Sequence, residues 1–90
     1  MPAIRDNTAL SRFELDDAGV TVVLNYRLAG NVLTLTHTET PVAARGRGLA
    51  SRLVEAVLRQ AHERGLKVVP RCAFVGAYLE KHPEFRYLLA

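Results

Sequence analysis

Residues 41–50 read Pro41-Val42-Ala43-Ala44-Arg45-Gly46-Arg47-Gly48-Leu49-Ala50, and the hydrophobic period changes across them. Upstream the chain alternates. Val20, Val22, Leu24, Tyr26 and Leu28 fall on one face, with Thr21, Asn25 and Arg27 on the other, the pattern of a half-buried strand. Asn31 to Thr40 is rich in β-branched residues and reads as a further strand behind the turn at Ala29-Gly30-Asn31. Ser11 to Leu15 predicts a short first strand, Asp16 to Gly19 a turn, and residues 1–10 a polar, frayed lead-in. The first forty residues are thus expected to form an antiparallel meander.

Downstream the spacing is helical. Leu49, Leu53, Val57 and Ala61 form a stripe widened by Ala50, Val54 and Leu58, with Ser51, Arg52, Glu55, Arg59, His62 and Glu63 on the wet side. This predicts a helix over 49–64 that stops at Gly65. Leu66 to Cys72 reads as a strand and 73–82 as a shorter helix stopped by Pro83. The apolar tail, 84–90, is expected as a last strand or an extended segment packed on the sheet. Strand, loop, helix and strand from 31 to 72 make a βαβ unit, with parallel strands and the helix on one sheet face. The expected fold is α/β (α+β): a mixed, mostly antiparallel sheet with two main helices.

Ninety residues with 49% hydrophobic and 23% charged side chains suit one globular domain over 1–90, burying roughly 60–65% of its unfolded surface. The opening Met1-Pro2-Ala3-Ile4-Arg5-Asp6 lacks the apolar core of a secretion signal. No apolar run approaches the roughly 18–20 residues of a membrane span, so no membrane partner is expected. The single cysteine, Cys72, excludes an internal disulfide and a Cys-rich zinc site and fits a reducing compartment, so a cytoplasmic location is expected. A net charge of +3 is a weak pull toward nucleic acid. No recognition helix or aromatic–basic sheet motif supports it, so that partner is not expected. Oligomeric state is not readable.

The Gly/Arg loop carries the sharpest chemistry. A helix N-terminus presents unpaired N–H groups and partial positive charge, a ready phosphate site. Gly46 and Gly48 lack a Cβ, and Arg45 and Arg47 add positive charge. The loop is neither a Walker loop nor a complete Gly-x-Gly-x-x-Gly fingerprint. On spacing alone, a plain turn with solvated arginines is an equal reading.

Arg45-Gly46-Arg47-Gly48-Leu49-Ala50 resembles the Gln/Arg-x-x-Gly-x-Gly/Ala signature of the GNAT superfamily of N-acetyltransferases. With it stand three further blocks in order: His37-Thr38-Glu39-Thr40-Pro41, Lys67-Val68-Val69-Pro70-Arg71-Cys72, and Tyr78-Leu79-Glu80-Lys81-His82-Pro83-Glu84-Phe85. Together these resemble the short GNAT-like proteins of the NATD type over about residues 20–88. The resemblance implies a minimal GNAT-like fold whose βαβ unit binds acetyl-coenzyme A, and acetyl transfer to an amine. Backbone amides from Arg45 to Ala50, including Gly46, Arg47, Gly48 and Leu49, would hold the pyrophosphate. Arg45, Arg47 or Arg52 would reach the phosphates.

The superfamily splays the two central strands to admit the pantetheine arm. Pro70 offers a physical cause, because it cannot donate to a sheet ladder. A gap is therefore expected between residues 35–40 and 67–72, although Pro70 also suits a plain edge. Alternation puts Leu33, Leu35, His37 and Glu39 on one face, unless a bulge reverses the later pair. His37 and Glu39 then stand at the strand end where ligands gather, as candidate bases for a reacting amine. Each also reads as structural, His37 as a half-buried histidine and Glu39 as a solvated carboxylate. No third ligand supports a metal. Cys72 reads either as a small buried hydrophobe or as a thiol near the thioester, and the resemblance favours the active site.

Two departures stand out. Many GNATs carry an acid tyrosine where Leu79 stands here, with Tyr78 one step away. The usual N-terminal helices have no counterpart, so an open acceptor side is expected, suiting a large amine or one on a protein. Phe74, Tyr78, Phe85 and Tyr87 are expected in the core. The rival reading is a coenzyme A-binding module with little or no catalysis.

Overall fold

A computed structural model describes residues 3–90. Met1 and Pro2, the start of the expected lead-in, lie outside the described residues. Five strands among these residues form one sheet in sequence order. Strands β1 (Ala3–Asn7), β2 (Arg12–Asp17), β3 (Val20–Ala29) and β4 (Val32–Glu39) run antiparallel to their neighbours. Helix α1 (Leu49–Glu63) crosses to β5 (Lys67–Pro70), which is parallel to β4, and α2 (Ala73–Lys81) follows. The mixed, mostly antiparallel sheet and two main helices are as expected.

Three local expectations are corrected. Residues 3–7 are a strand, not a frayed lead-in. Ile4 pairs with Leu15 and Arg5 with Glu14, and Arg5 also forms ion pairs with Glu14 and Asp16. Strand β2 extends through Asp17, which leaves Ala18-Gly19 as the turn, both at positive φ (51° and 82°) as two-residue hairpins require. The tail is a 3-10 helix, Pro83–Leu88, with a single bridge from Leu89 to Val68. Residues three apart eclipse in such a helix, which brings Phe85 and Leu88 together into the core.

The core lies on one sheet face. Phe13, Leu15, Val22, Leu24, Leu33 and Leu35 meet Leu53, Val54, Val57 and Leu58 of α1, and Val75 and Leu79 of α2 close the same cluster. Each fully buried Leu or Val is worth about 1.5–3 kcal/mol, so this stripe fixes how α1 sits on the sheet. The opposite face is polar. It carries Glu14, only 2% exposed, beneath Arg5, Arg12 and Asn7.

Strand β4 holds the feature that shapes the site. Its register against β3 shifts: Tyr26 pairs with Leu35 but Asn25 pairs with His37, leaving Thr36 as the extra residue of a bulge. One extra residue reverses the facing of everything beyond it. Thr38, opposite Leu24, therefore joins the helix face, and His37 and Glu39, opposite Asn25 and Val23, turn to the polar face. The expectation that Leu33, Leu35, His37 and Glu39 share a face is overturned by this bulge.

The strands do part, though later than expected and not because of Pro70. Val32 to Leu35 pairs with Lys67 to Pro70, so 67–70 lies inside the ladder. The donors from this strand toward β4 are odd-numbered, Lys67 to the Asn31 carbonyl (2.8 Å) and Arg71 to the Leu35 carbonyl (3.0 Å). In a parallel ladder this alternation leaves the Pro70 nitrogen facing the outer edge. The Arg71 and Cys72 N–H groups both end on the Leu35 carbonyl. Beyond it Thr38 and Glu39 stay paired with β3, and the chain after Cys72 turns into α2. The gap lies between residues 36–39 and 71–72.

Candidate active site

The first turn of α1 is open and uncapped. Gly48 caps the helix at φ 72° with no side-chain cap bond, and the turn holds no acidic residue. The first helical bond runs from Arg52 N–H to the Gly48 carbonyl (3.1 Å), so the N–H groups of Leu49, Ala50 and Ser51 have no helical partner. Gly46 sits at φ 82°. A Cβ at either glycine would meet nothing within 4 Å. The left-handed backbone, rather than protein crowding, is what demands glycine here. Beside the turn lies an open cleft of about 320 Å³, lined by Thr40, Arg45, Gly46, Gly48, Ala50 and Phe74 among others. An uncapped helix end, free amides and an arginine on one cleft fit a phosphate.

The three arginines differ. Arg45 lines the cleft and its Nε donates to the Thr40 carbonyl (3.2 Å). Arg47 donates to the Ala43 carbonyl (3.0 Å) and faces Asp17 at 3.5 Å, so it braces the loop against the β2–β3 turn. Arg52 is exposed on α1 and makes no ion pair among the described residues.

Cys72 lies at the far side of the gap. It is 8% exposed, stands at the N-cap position of α2, and its Sγ is 3.0 Å from Thr38 Oγ1. Burial pushes the thiol up. The Thr38 hydroxyl and the backbone N–H groups of Val75, Phe74 and Thr38 pull it down and prevail, so the net shift is below the ordinary thiol value. A helix N-terminus favours a thiolate for the same reason that it favours phosphate.

His37 and Glu39 are both exposed on the polar face. The bulge therefore brings Thr38 to Cys72 and sends the two candidate bases to the other side of the sheet. No ladder closes the space between residues 36–39 and 71–72, and the Thr38 hydroxyl and the Cys72 thiol meet across it. Among the described residues, no three His, Cys, Asp or Glu side chains gather closely enough to hold a metal ion.

The aromatic residues divide. Tyr78 and Phe85 are buried. Burial first, then the charges of Glu55 and Glu84, pushes the Tyr78 phenol up, and its ring stacks on His82 at 4.0 Å. Phe74 and Tyr87 are exposed, 39% and 53%, and Phe74 lines the cleft. The expected core role therefore fails for these two. Phe74 heads the first turn of α2, where the apolar stripe has not yet closed on the sheet. Thr38 and Phe74 are site residues that the sequence pattern did not single out.

The pattern of the GCN5-related N-acetyltransferase family matches residues 12–88. The chain belongs to this family. Among its relatives, the NATD1 proteins of Gallus gallus and Homo sapiens are each 39% identical over 67 residues. That match covers 73% of this chain but only 61% and 59% of those proteins. This GCN5-related domain thus spans less than two thirds of the relatives' length. The NMR structure of a GCN5-like candidate N-acetyltransferase from Staphylococcus aureus is also similar. Its TM-score is 0.75 at 25% identity, over 98% of this chain and 87% of that one. Family and fold are therefore shown together. GCN5-related domains generally bind acetyl-coenzyme A. No helix among the described residues is long and apolar enough to cross a membrane.

Proposed function

We propose that this chain is an acetyl-coenzyme A-dependent N-acetyltransferase whose acceptor amine approaches from the polar sheet face. One observation carries the reading: the cleft beside the free first turn of α1 is lined also by Thr40, next to the end of β4, and by Phe74, two residues beyond Cys72 at the end of the gap. Amides from Gly46 to Ser51, with Arg45 and Arg52, hold the phosphates. Arg47 and the Leu49 side chain keep the loop and helix in place. Acetyl-coenzyme A supplies the activated acetyl group as a thioester.

Cys72 is the candidate acyl carrier. As a thiolate the group is a nucleophile, and the Thr38 hydroxyl beside Sγ and the start of α2 stabilise that form. Its Sγ bonds to the acetyl carbon as the coenzyme thiolate departs and takes a proton from solvent. A neutral amine then attacks the same carbon, and the Cys72 thiolate leaves. His37 or Glu39 takes the proton released by the amine.

A coenzyme A-binding module with little catalysis is the second reading. The leucine at position 79, where many family members carry an acid tyrosine, and the burial of Tyr78 in a stack on His82 favour it. Turnover of acetyl-coenzyme A against a panel of amines separates the two. The enzyme reading expects transfer, acetyl on Cys72 by peptide mapping when amine is withheld, and a loss of about a hundredfold or more in Cys72→Ala. Tight binding with no transfer to any amine would establish the module instead.

A further inference from the structure

A second recess lies on the polar face, beside the mouth of the gap. It has a volume of about 290 Å³ and is lined by Arg27, Thr34, Thr36 and Arg71. Arg27 stands opposite Thr34 across β3 and β4, Thr36 is the bulge residue, and Arg71 directly precedes Cys72. Neither arginine makes an ion pair among the described residues, and no carboxylate lines the recess. By contrast, Arg5 and Arg12, at the other side of the same face, are matched by Glu14 and Asp16.

We infer that the Arg27–Arg71 recess binds a carboxylate carried by the acceptor amine, and so selects acidic amines. Two guanidinium groups with no counter-ion repel one another, and together with two hydroxyls they offer more donors than one carboxylate needs. Arginine forks match a carboxylate in paired hydrogen bonds. The coenzyme's phosphates have their own cradle on the opposite face, so this recess is left to the acceptor. A carboxylate held there lies against Thr36 and Arg71, the residue before Cys72, and the attached amine then lies on the face that carries His37 and Glu39. The inference rests on the acetyl-transfer reading for its purpose, but the binding site can be tested alone. The carboxylate has two possible sources, a free amino acid or an acidic residue beside an amine on a polypeptide.

The test uses β-alanine against β-alanine amide, and a capped Lys-Glu peptide against its Lys-Gln twin. Titrated into ¹⁵N-labelled protein, the carboxylate members are expected to shift the Thr34, Thr36 and Arg71 amides, and the amide members are not. With acetyl-coenzyme A, the carboxylate members react at least about tenfold faster, the scale of one charged hydrogen bond. Arg27→Gln with Arg71→Gln abolishes this preference and leaves acetyl-coenzyme A affinity within about twofold, as distant sites allow. A preference for β-alanine assigns a small acceptor, and one for the peptide assigns a polypeptide. No shift at the recess, equal rates within the pairs, or stronger binding of phosphoethanolamine than of β-alanine overturns the inference. Shifts at the recess without any coenzyme binding at α1 would uphold this site while defeating the acetyl-transfer reading.

Discussion

Cys72 and Thr38 are thirty-four positions apart in sequence and 3.0 Å apart at their side-chain tips. That contact exists because Thr36 is bulged. Without the extra residue, Thr38 would face the other way. The hydroxyl is one of the groups that hold the Cys72 thiol below its ordinary value against the opposing effect of burial. Thr38→Val keeps the shape and removes the bond, so the thiol should titrate higher. The pH dependence of iodoacetamide alkylation is expected to move to higher pH in the variant, and an unmoved profile would deny Thr38 this role. The same linkage acts on stability. A depressed folded-state value stabilises the fold above the thiol's ordinary range, and this contribution is lost as pH falls through the lowered value. The sequence allowed for a bulge but did not place one. Thr34, Thr36, Thr38 and Thr40 form an unbroken alternate run, and such a run looks the same with or without a bulge.

At the scale of elements, α1 was the most legible. Its stripe from Leu49 to Ala61 gave its buried face, and Gly48 its start, because periodicity over fifteen residues leaves few alternatives. Strands β3 and β4 were equally plain. Strand β1 was not, since its order comes from pairing with β2 and from ion pairs that span the sheet. The strand gap was foreseen for the wrong reason: Pro70 points its nitrogen outward, and the separation comes from the bulge on one side and the turn into α2 on the other. For α1 the consequence is Gly48→Val. A β-branched residue at φ 72° costs about 1–3 kcal/mol of strain and sets a side chain beside the cradle. Calorimetry is expected to show at least about a tenfold weaker acetyl-coenzyme A affinity, and thermal melting a modest loss of stability. Undiminished affinity in a folded variant would remove the phosphates from this turn.

The whole molecule has one greasy face, covered by both helices and the tail, and one polar face. Glu14 organises one side of that polar face. The Arg12 and Asn7 hydrogen bonds hold its carboxyl below the usual range, burial opposes them, and the Arg5 and Arg12 charges add to the lowering. The stabilisation is present above the ordinary carboxylate value and is lost as pH falls through the lowered one. Glu14→Gln should therefore melt lower than the parent at neutral pH, with the difference closing as acid is added. A constant difference across that range would contradict the linkage. In the acetyl-transfer reading the acceptor enters on this polar face, and its two ends differ: carboxylates balance the arginines near β1 and β2 but not near the gap. The account as a whole stands on where acetyl-coenzyme A docks. Titration of the ¹⁵N-labelled chain with acetyl-coenzyme A, followed amide by amide, is the direct measurement. The largest shifts are predicted at Gly46 to Arg52, with a second group at Thr36 to Thr38 and Cys72 along the gap. Shifts confined to other elements, or none at saturating ligand, would contradict it.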